Sequence, residues 1–325
     1  MKNKIGLEET FAIAETLGCS EKYFPKDVWP KFAAAITNLM DERIQLMDEN
    51  GMEIMVLSLN SPAIQAIYNK KEAIEVAKKA NDTMAEAMQK YPTRFQGLAA
   101  LPLQDPDAAI LEAQRAVKEL GCVGVLANGY SQIDTEDNYL YLDDPIYRPF
   151  WAELEKLNVP FYLHPREPMP CNNGSVDGHP WLNGAAWTFG VETAVHALRL
   201  ICSGLYDEFP NLKMILGHLG ETLPWTMWRI SNRMKREGRG APIKLTVSDY
   251  LLKNFWYTTS GHHRTQTLVN TMSEIGSDRI LFATDFPFES VPEACEWFDN
   301  CSISENDRIK IGRTNAINLF NLDLE

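Results

Sequence analysis

No apolar run in this 325-residue chain approaches the roughly 20 residues needed to cross a bilayer, and the opening MKNKIGLEETF has no basic segment leading into a long apolar one. Cysteine is sparse and unpatterned. Cys19, Cys122, Cys171, Cys202, Cys295 and Cys301 form no C-x-x-C pair and no dense framework, which argues against a disulfide scaffold and predicts free thiols in a cytoplasmic, reducing setting. Basic clusters are missing as well. Lys and Arg number 31 against 44 Asp and Glu, a net charge of −13, so neither nucleic-acid phosphate nor anionic lipid is an expected partner, and a small molecule is. No G-x-G-x-x-G or similar phosphate-cradling loop occurs, so no organic cofactor is expected. No Ser/Gly linker or low-complexity tract divides the chain, and one barrel-sized domain over residues 1–325 accounts for its length.

What the sequence does contain is an alternation of short apolar runs with longer amphipathic ones. The short runs fall at 4–8, 53–59, 95–101, 122–127, 159–164, 212–217, 255–260 and 280–285. Between them, helical periodicity marks 32–50, 71–91, 105–120, 145–157, 189–208, 265–275 and 306–320. DENGMEI, KELGCVGV and SEIGSDRI each place a Gly between helix and strand, where a chain leaving a helix takes a positive φ. Eight strands with intervening helices predict a closed (β/α)8 barrel, although an open doubly wound sheet reads similarly over any half of it. Two connections are longer than a barrel needs, at 10–30 and 165–187. Both follow strands and are expected to shape the active-site face.

In such a barrel, chemistry is assembled at the C-terminal strand ends. Here the first run ends in Glu8, the fifth in His164, the sixth leads into His218, and the eighth ends in Asp285. Asn60 and Asn128 close the second and fourth, while Ser260 and His262 follow the seventh. A single such residue is more often a cap, but two His, two carboxylates and two amides on one rim form a constellation. Glu8, His164 and Asp285 together suit a mononuclear metal site with open positions. Its oxygen-rich ligation favours Mn2+ or Mg2+, with Zn2+ also compatible. His218 lies in GHLGE, three residues before Glu221, a spacing that lets the carboxylate hold the imidazole in one tautomer and raise its basicity.

His196, inside the helical run TAVHALRL, is expected to be a packed helix residue, and His179 and His263 loop or rim residues. Tyr23 and Phe24 in the first long loop, with Trp181, Trp187, Phe286 and Phe288, are candidate walls for an aromatic substrate.

LEETF, LSLNSPAIQAI, ALPLQDPDAA, VPFYLHPREP, ETAVHALRL, MILGHLGETLPWTMWRI, TTSGHHRTQTL, RILFATDFPFE and IGRTNA together resemble the γ-resorcylate (2,6-dihydroxybenzoate) decarboxylase group of the amidohydrolase superfamily, over nearly the whole chain. More distant relatives include the aminocarboxymuconate semialdehyde decarboxylases. The resemblance implies reversible, non-oxidative decarboxylation of a hydroxybenzoate, 2,6-dihydroxybenzoate or a close analogue such as the 2,3-isomer. It implies Glu8, His164 and Asp285 as metal ligands, and His218 with Glu221 as the acid/base pair beside them. Either Asp285 or His218 would deliver the proton. It further implies a homodimer or homotetramer in which Arg229 reaches the substrate carboxylate of a neighbouring subunit. Tyr23, Asn60, Asn128, Arg229, Phe286 and Phe288 are thus the expected substrate contacts. One position departs from the pattern: Thr10 stands where the γ-resorcylate enzymes carry a further His ligand, and the wider group carries Ala there in some members. This shifts the expectation away from zinc.

Two other classes are compatible with the fold. A metal-dependent hydrolase would use His218 or Asp285 to deprotonate a metal-activated water, but the His-x-His after strand one that marks hydrolytic relatives is absent. A non-catalytic binding protein would show a broken ligand or acid/base set, and only Thr10 points that way.

Overall fold

The eight expected strands all form. The computed structural model describes residues 1–169, 174–238 and 240–324. The strands are β1 (Lys4–Phe11), β2 (Met52–Leu59), β3 (Phe95–Ala100), β4 (Gly124–Asn128), β5 (Ser131–Ile133), β6 (Thr135–Leu140), β7 (Phe161–His164), β8 (Met214–Leu216), β9 (Phe255–Thr258) and β10 (Ile280–Leu281). Eight pair in parallel in the order β1-β2-β3-β4-β7-β8-β9-β10, while β5 and β6 make a separate antiparallel hairpin above β4 that the periodicity did not announce. The ring closes where Leu7 bridges Ala283 in parallel, with the Leu7 amide donating to the Phe282 carbonyl at 3.0 Å and the Thr10 amide to the Phe286 carbonyl at 2.7 Å. The architecture is a (β/α)8 barrel.

Both faces of this wall are buried, as a parallel sheet requires. Ile5, Leu7, Ile54, Val56, Leu98, Leu126, Tyr162, Ile215, Leu281 and Ala283 fill the interior. The alternate positions, among them Met55, Leu57, Val125, Phe161, Met214 and Phe282, pack outward against the helices.

The helices depart from the expected boundaries in explicable ways. The segment 32–50 divides into Trp29–Thr37 and Asp41–Glu49, because Asn38 is extended and its side chain accepts the Met40 amide, a local bond that competes with the helix. The segment 189–208 divides into Thr188–Cys202 and Leu205–Glu208 at Gly204, whose φ is +77°. The first long connection carries a helix, Ala14–Glu21, and the second carries 3-10 turns at Gly174–Val176, Pro180–Leu182 and Gly184–Ala186. Among the described residues Cys19, Cys122, Cys202, Cys295 and Cys301 are free, and Cys171 lies outside them. No helix among the described residues is long and apolar enough to cross a membrane.

Candidate active site

The rim holds its functional side chains through unusual backbone. Glu8 has φ +60° and Asp285 φ +66°, a left-handed conformation that non-glycine residues rarely adopt and that concentrates at functional sites. In β1 the pairing with β2 slips between Gly6 and Glu9, so three steps on β1 oppose two on β2. This bulge turns Glu8 into the barrel, where a regular strand would have turned Glu9. Glu8 is fully buried. Its Oε2 accepts hydrogen bonds from the Tyr162 hydroxyl and from Thr258 Oγ1, the latter at 3.2 Å.

From His218 to Thr222 every residue has φ between +51° and +86°. Residues 218–222 therefore form a left-handed turn, and the right-handed helix begins only at Leu223. At roughly 1–2 kcal/mol per non-glycine residue, such a run persists only where tertiary contacts impose it. Here the His218 amide donates to Ser260 Oγ at 3.1 Å, and His218 Nδ1 lies 2.6 Å from Glu221 Oε1. The ring is thereby fixed with Nε2 facing inward, 3.8 Å from Glu8 Oε1 and 3.8 Å from Asp285 Oδ2.

His164 ends β7 with its Nδ1 donating to the Pro165 carbonyl at 2.9 Å, which leaves the Nε2 lone pair facing Glu8 Oε1 at 3.2 Å. That Glu8 oxygen is buried without a hydrogen-bond partner. A carboxylate oxygen and an imidazole lone pair confronting one another in a buried site repel unless a proton or a cation stands between them, so this donor set fits a divalent metal. Glu8, His164 and Asp285 meet on one rim as expected. Among the described residues, however, no three ionisable groups are already drawn into a closed coordination cage, since His218 Nε2 stands between Glu8 and Asp285.

The electrostatics follow from this crowding. Burial alone would raise the Glu8 carboxyl, but the charge of His218 beside it holds it well below the usual range. Asp285 is raised, first by burial and then by the neighbouring Glu8 charge, against the pull of His218. Burial disfavours protonated His218, yet Glu221, Glu8 and Asp285 together raise its pKa well above the ordinary value.

Two lobes of space meet at His218 and Asp285. One, of about 290 Å³, is walled by Tyr23, Phe24, Phe288, Phe189, His164 and Pro165. The other, of about 320 Å³, is bounded by Trp187, Val191, Glu221, Gly261 and His262. Phe288 and Phe24 stack with centroids 6.1 Å apart, and Tyr23 meets Phe189 edge-on at 5.7 Å. The two long connections are joined by an ion pair between Lys22 and Glu167, with Nζ 2.5 Å from Oε2.

Several expected contacts stand elsewhere. Phe286 is not part of the cavity wall; it lies in the turn beyond β10, beneath the Arg43 guanidinium, 4.9 Å from ring centroid to Cζ, with its carbonyl held by the Thr10 amide. Asn60 and Asn128 are also absent from the lining. The Asn60 amide donates to the Thr16 carbonyl at 2.9 Å and Ser20 Oγ at 3.0 Å, and that of Asn128 to the Asn60 carbonyl at 2.9 Å, so both tie loops together. Arg229 is exposed on the helix Leu223–Glu237, outside both lobes. Trp181 is 67% exposed and stands apart from the cavity, whereas Trp187 lines it. His196 is buried and accepts the Leu142 amide at Nε2, 3.0 Å away, as a packed helix residue should. Tyr162, Thr258 and Glu9 escaped the sequence reading because each looks like an ordinary strand residue. Only the polar character of Tyr162 and Thr258 at interior positions hinted otherwise.

Residues 33–322 match the amidohydrolase family. The γ-resorcylate decarboxylase of Rhizobium sp. (strain MTP-10005) is 55% identical over 326 residues, covering 99% of this chain and 99% of its own. A crystal structure of 2,6-dihydroxybenzoate decarboxylase complexed with 2,6-dihydroxybenzoate superposes with a TM-score of 0.97 at 54% identity, covering 99% of this chain and 100% of that one. The dihydroxybenzoic acid decarboxylase of Polaromonas sp. JS666, solved with bound manganese and the inhibitor 2-nitroresorcinol, also superposes at 0.97, with 52% identity over 100% of this chain and 98% of that one. The chain belongs to the γ-resorcylate decarboxylase group of the amidohydrolase family.

Proposed function

We propose that this protein is an organic-cofactor-independent carboxy-lyase that releases CO2 from 2,6-dihydroxybenzoate, or a close analogue such as 2,3-dihydroxybenzoate, in a reversible and non-oxidative reaction. The observation that carries the reading is the unpartnered Glu8 Oε1 facing His164 Nε2, with Asp285 and His218 across from it, at the base of an aromatic-walled cavity. Glu8, His164 and Asp285 would hold one divalent ion per subunit, Mn2+ before Mg2+ or Zn2+, since manganese is bound in the Polaromonas relative and Thr10 supplies no imidazole. When bound, that ion supplies Lewis-acid polarisation of the substrate's carboxylate and phenolate oxygens.

The chain's own residues supply the rest. Phe24, Phe288 and Tyr23 wall the ring's side of the cavity and exclude water. Asp285, whose Oδ2 faces His218 Nε2, passes a proton to the carboxylated ring carbon. His218 stands 3.8 Å away to resupply it, kept cationic by Glu221. The C–C bond then breaks, its electron pair returns to the ring, and CO2 leaves. The phenol hydroxyl stabilises the dearomatised ring, so no pyridoxal or thiamine sink is called for. In the assembled homodimer or homotetramer, Arg229 reaches the carboxylate of a neighbouring subunit's substrate. Residues 1–325 act as one catalytic unit, and the free thiols suit a cytoplasmic enzyme.

The test is incubation of Mn2+-loaded protein with a panel of hydroxybenzoates while CO2 and the decarboxylated phenol are measured. Release from 2,6-dihydroxybenzoate supports the reading, and no release from any of them sinks it. The hydrolytic alternative has no observation in its favour, as the relatives at 55% and 54% identity are decarboxylases.

A further inference from the structure

Glu8, within β1, and Asp285, four residues beyond the end of β10, face each other where these two segments close the barrel, and at that closure the backbone ladder is incomplete. The Leu7 amide reaches the Phe282 carbonyl and the Thr10 amide reaches the Phe286 carbonyl, so three residues on one strand span four on the other. Between these bonds the two left-handed residues break the strand geometry on both sides of the seam. The gap is filled by a side chain. Glu9 Oε1 accepts the Thr284 amide at 3.1 Å, and Glu9 Oε2 accepts the Thr284 hydroxyl at 2.6 Å.

The β1 bulge places Glu9 on the outer face of the wall, with its carboxylate over Gly6, where an added Cβ would come within 2.6 Å of Oε1. On the inner face, one residue away along each strand, stand Glu8 and Asp285. A second pin acts at the same point. Buried Arg43 donates to the Thr10 carbonyl at 2.9 Å and stacks over Phe286, the residue whose carbonyl Thr10 holds. Neither Glu9 nor Arg43 lines the cavity, and the proposed chemistry uses neither.

We propose that Glu9 is a positioning residue whose bidentate grip on Thr284 replaces the missing ladder bonds of the β1/β10 seam and so sets the spacing of Glu8 and Asp285 for the metal. The inference rests on the metal reading above. Removing the grip takes the side-chain acceptor from the Thr284 amide and hydroxyl and frees the two strand segments to separate. The cost then falls on metal affinity, where groups supporting ligands characteristically contribute about 10–100-fold.

The test follows Mn2+ binding to metal-free protein by the paramagnetic resonance signal of free Mn2+, beside steady-state kinetics and Tm. Glu9→Ala should weaken Mn2+ binding by about tenfold or more, with kcat falling further than KM rises. Glu9→Gln should restore binding close to wild type, because its amide keeps an acceptor for the Thr284 amide and a donor for the hydroxyl. Thr284→Val, which keeps the backbone bond and loses the hydroxyl, should fall between. A folded Glu9→Ala protein that binds Mn2+ like wild type overturns the proposal. If Glu9→Ala does not fold, wild-type Mn2+ affinity in Thr284→Val does the same. Wild-type protein that takes up no Mn2+ overturns the metal reading itself, and with it this proposal, a result distinct from equal binding by wild type and variant.

Discussion

His218 and Glu221 are neighbours on a left-handed turn, Nδ1 to Oε1 at 2.6 Å, and this one contact decides which way the imidazole points. With Nδ1 committed to Glu221, Nε2 is the nitrogen presented to Glu8 and Asp285, each 3.8 Å away. In a right-handed helix, residues three apart are also neighbours. The left-handed turn differs in drawing the whole segment back over the strand ends of β8 and β9, where Ser260 accepts the His218 amide. The strain of the turn is thus tied to the placement of a single nitrogen.

Replacing His218 with Asn should lower kcat by about 10²–10⁴, the usual contribution of a positioned acid or base. Glu221→Gln tests the pair. Glu221 raises the His218 pKa, so removing its charge lowers it, and the alkaline limb of the kcat profile should move to lower pH. A profile that keeps its alkaline limb in Glu221→Gln would show that His218 does not act as the charged partner.

Phe288 should govern ring binding more than turnover. It lines the lobe beside His164 and stacks near Phe24, while Phe286, two residues earlier, lies under Arg43. Phe288→Ala should raise KM by about tenfold, the loss of roughly 1.4 kcal/mol of aromatic contact, with a smaller change in kcat. An equal effect from Phe286→Leu on KM alone would contradict the assignment of the wall.

Arg229 is exposed on a helix that also exposes Trp225, at 56%, and Trp228, at 69%. If Arg229 serves a neighbouring subunit, Arg229→Ala and His218→Asn proteins, each crippled alone, should regain activity when their subunits are exchanged. One site of the mixed pair then receives an intact Arg and an intact His. Mixed protein no more active than its parents would place the action of Arg229 within its own subunit or remove it from catalysis.

His196 is a stability device that acid disarms. Burial pushes its pKa down to about 3, with Arg199 adding to the effect, and its neutral Nε2 accepts the Leu142 amide. The unfolded chain takes up a proton as pH falls below about 6.5, while the folded chain resists until about 3. Stability from this residue is therefore intact above that window and lost as pH drops through it, by roughly 2–3 kcal/mol at pH 4.5. His196→Gln keeps an acceptor and removes the titration. Urea unfolding at pH 7 and pH 4.5 should show a smaller difference for the variant than for wild type, and an equal difference would refute the account.

The barrel could be read from residue order because strand and helix periodicities are local. Each apolar run was found within a few positions of its strand, and Gly51 and Gly121 do carry the positive φ expected where helices end. The rim residues Glu8, His164, His218 and Asp285 were legible for the same reason, since each lies near a strand's C-terminal end, a position along the chain, although β1 runs on past Glu8 to Phe11 and β10 stops at Leu281, short of Asp285. Which way a side chain faces at that end is not a local property. The β1 bulge sends Glu8 inward and Glu9 outward, and its pairing across the seam joins residues 275 positions apart. The same long-range closure turned Phe286 away from the cavity and Phe288 into it, gave Asn60 and Asn128 to loop bracing, and put Tyr162 against Glu8. Those outcomes depend on which backbone groups remain to be satisfied once the ring has closed, and closure exists only in three dimensions.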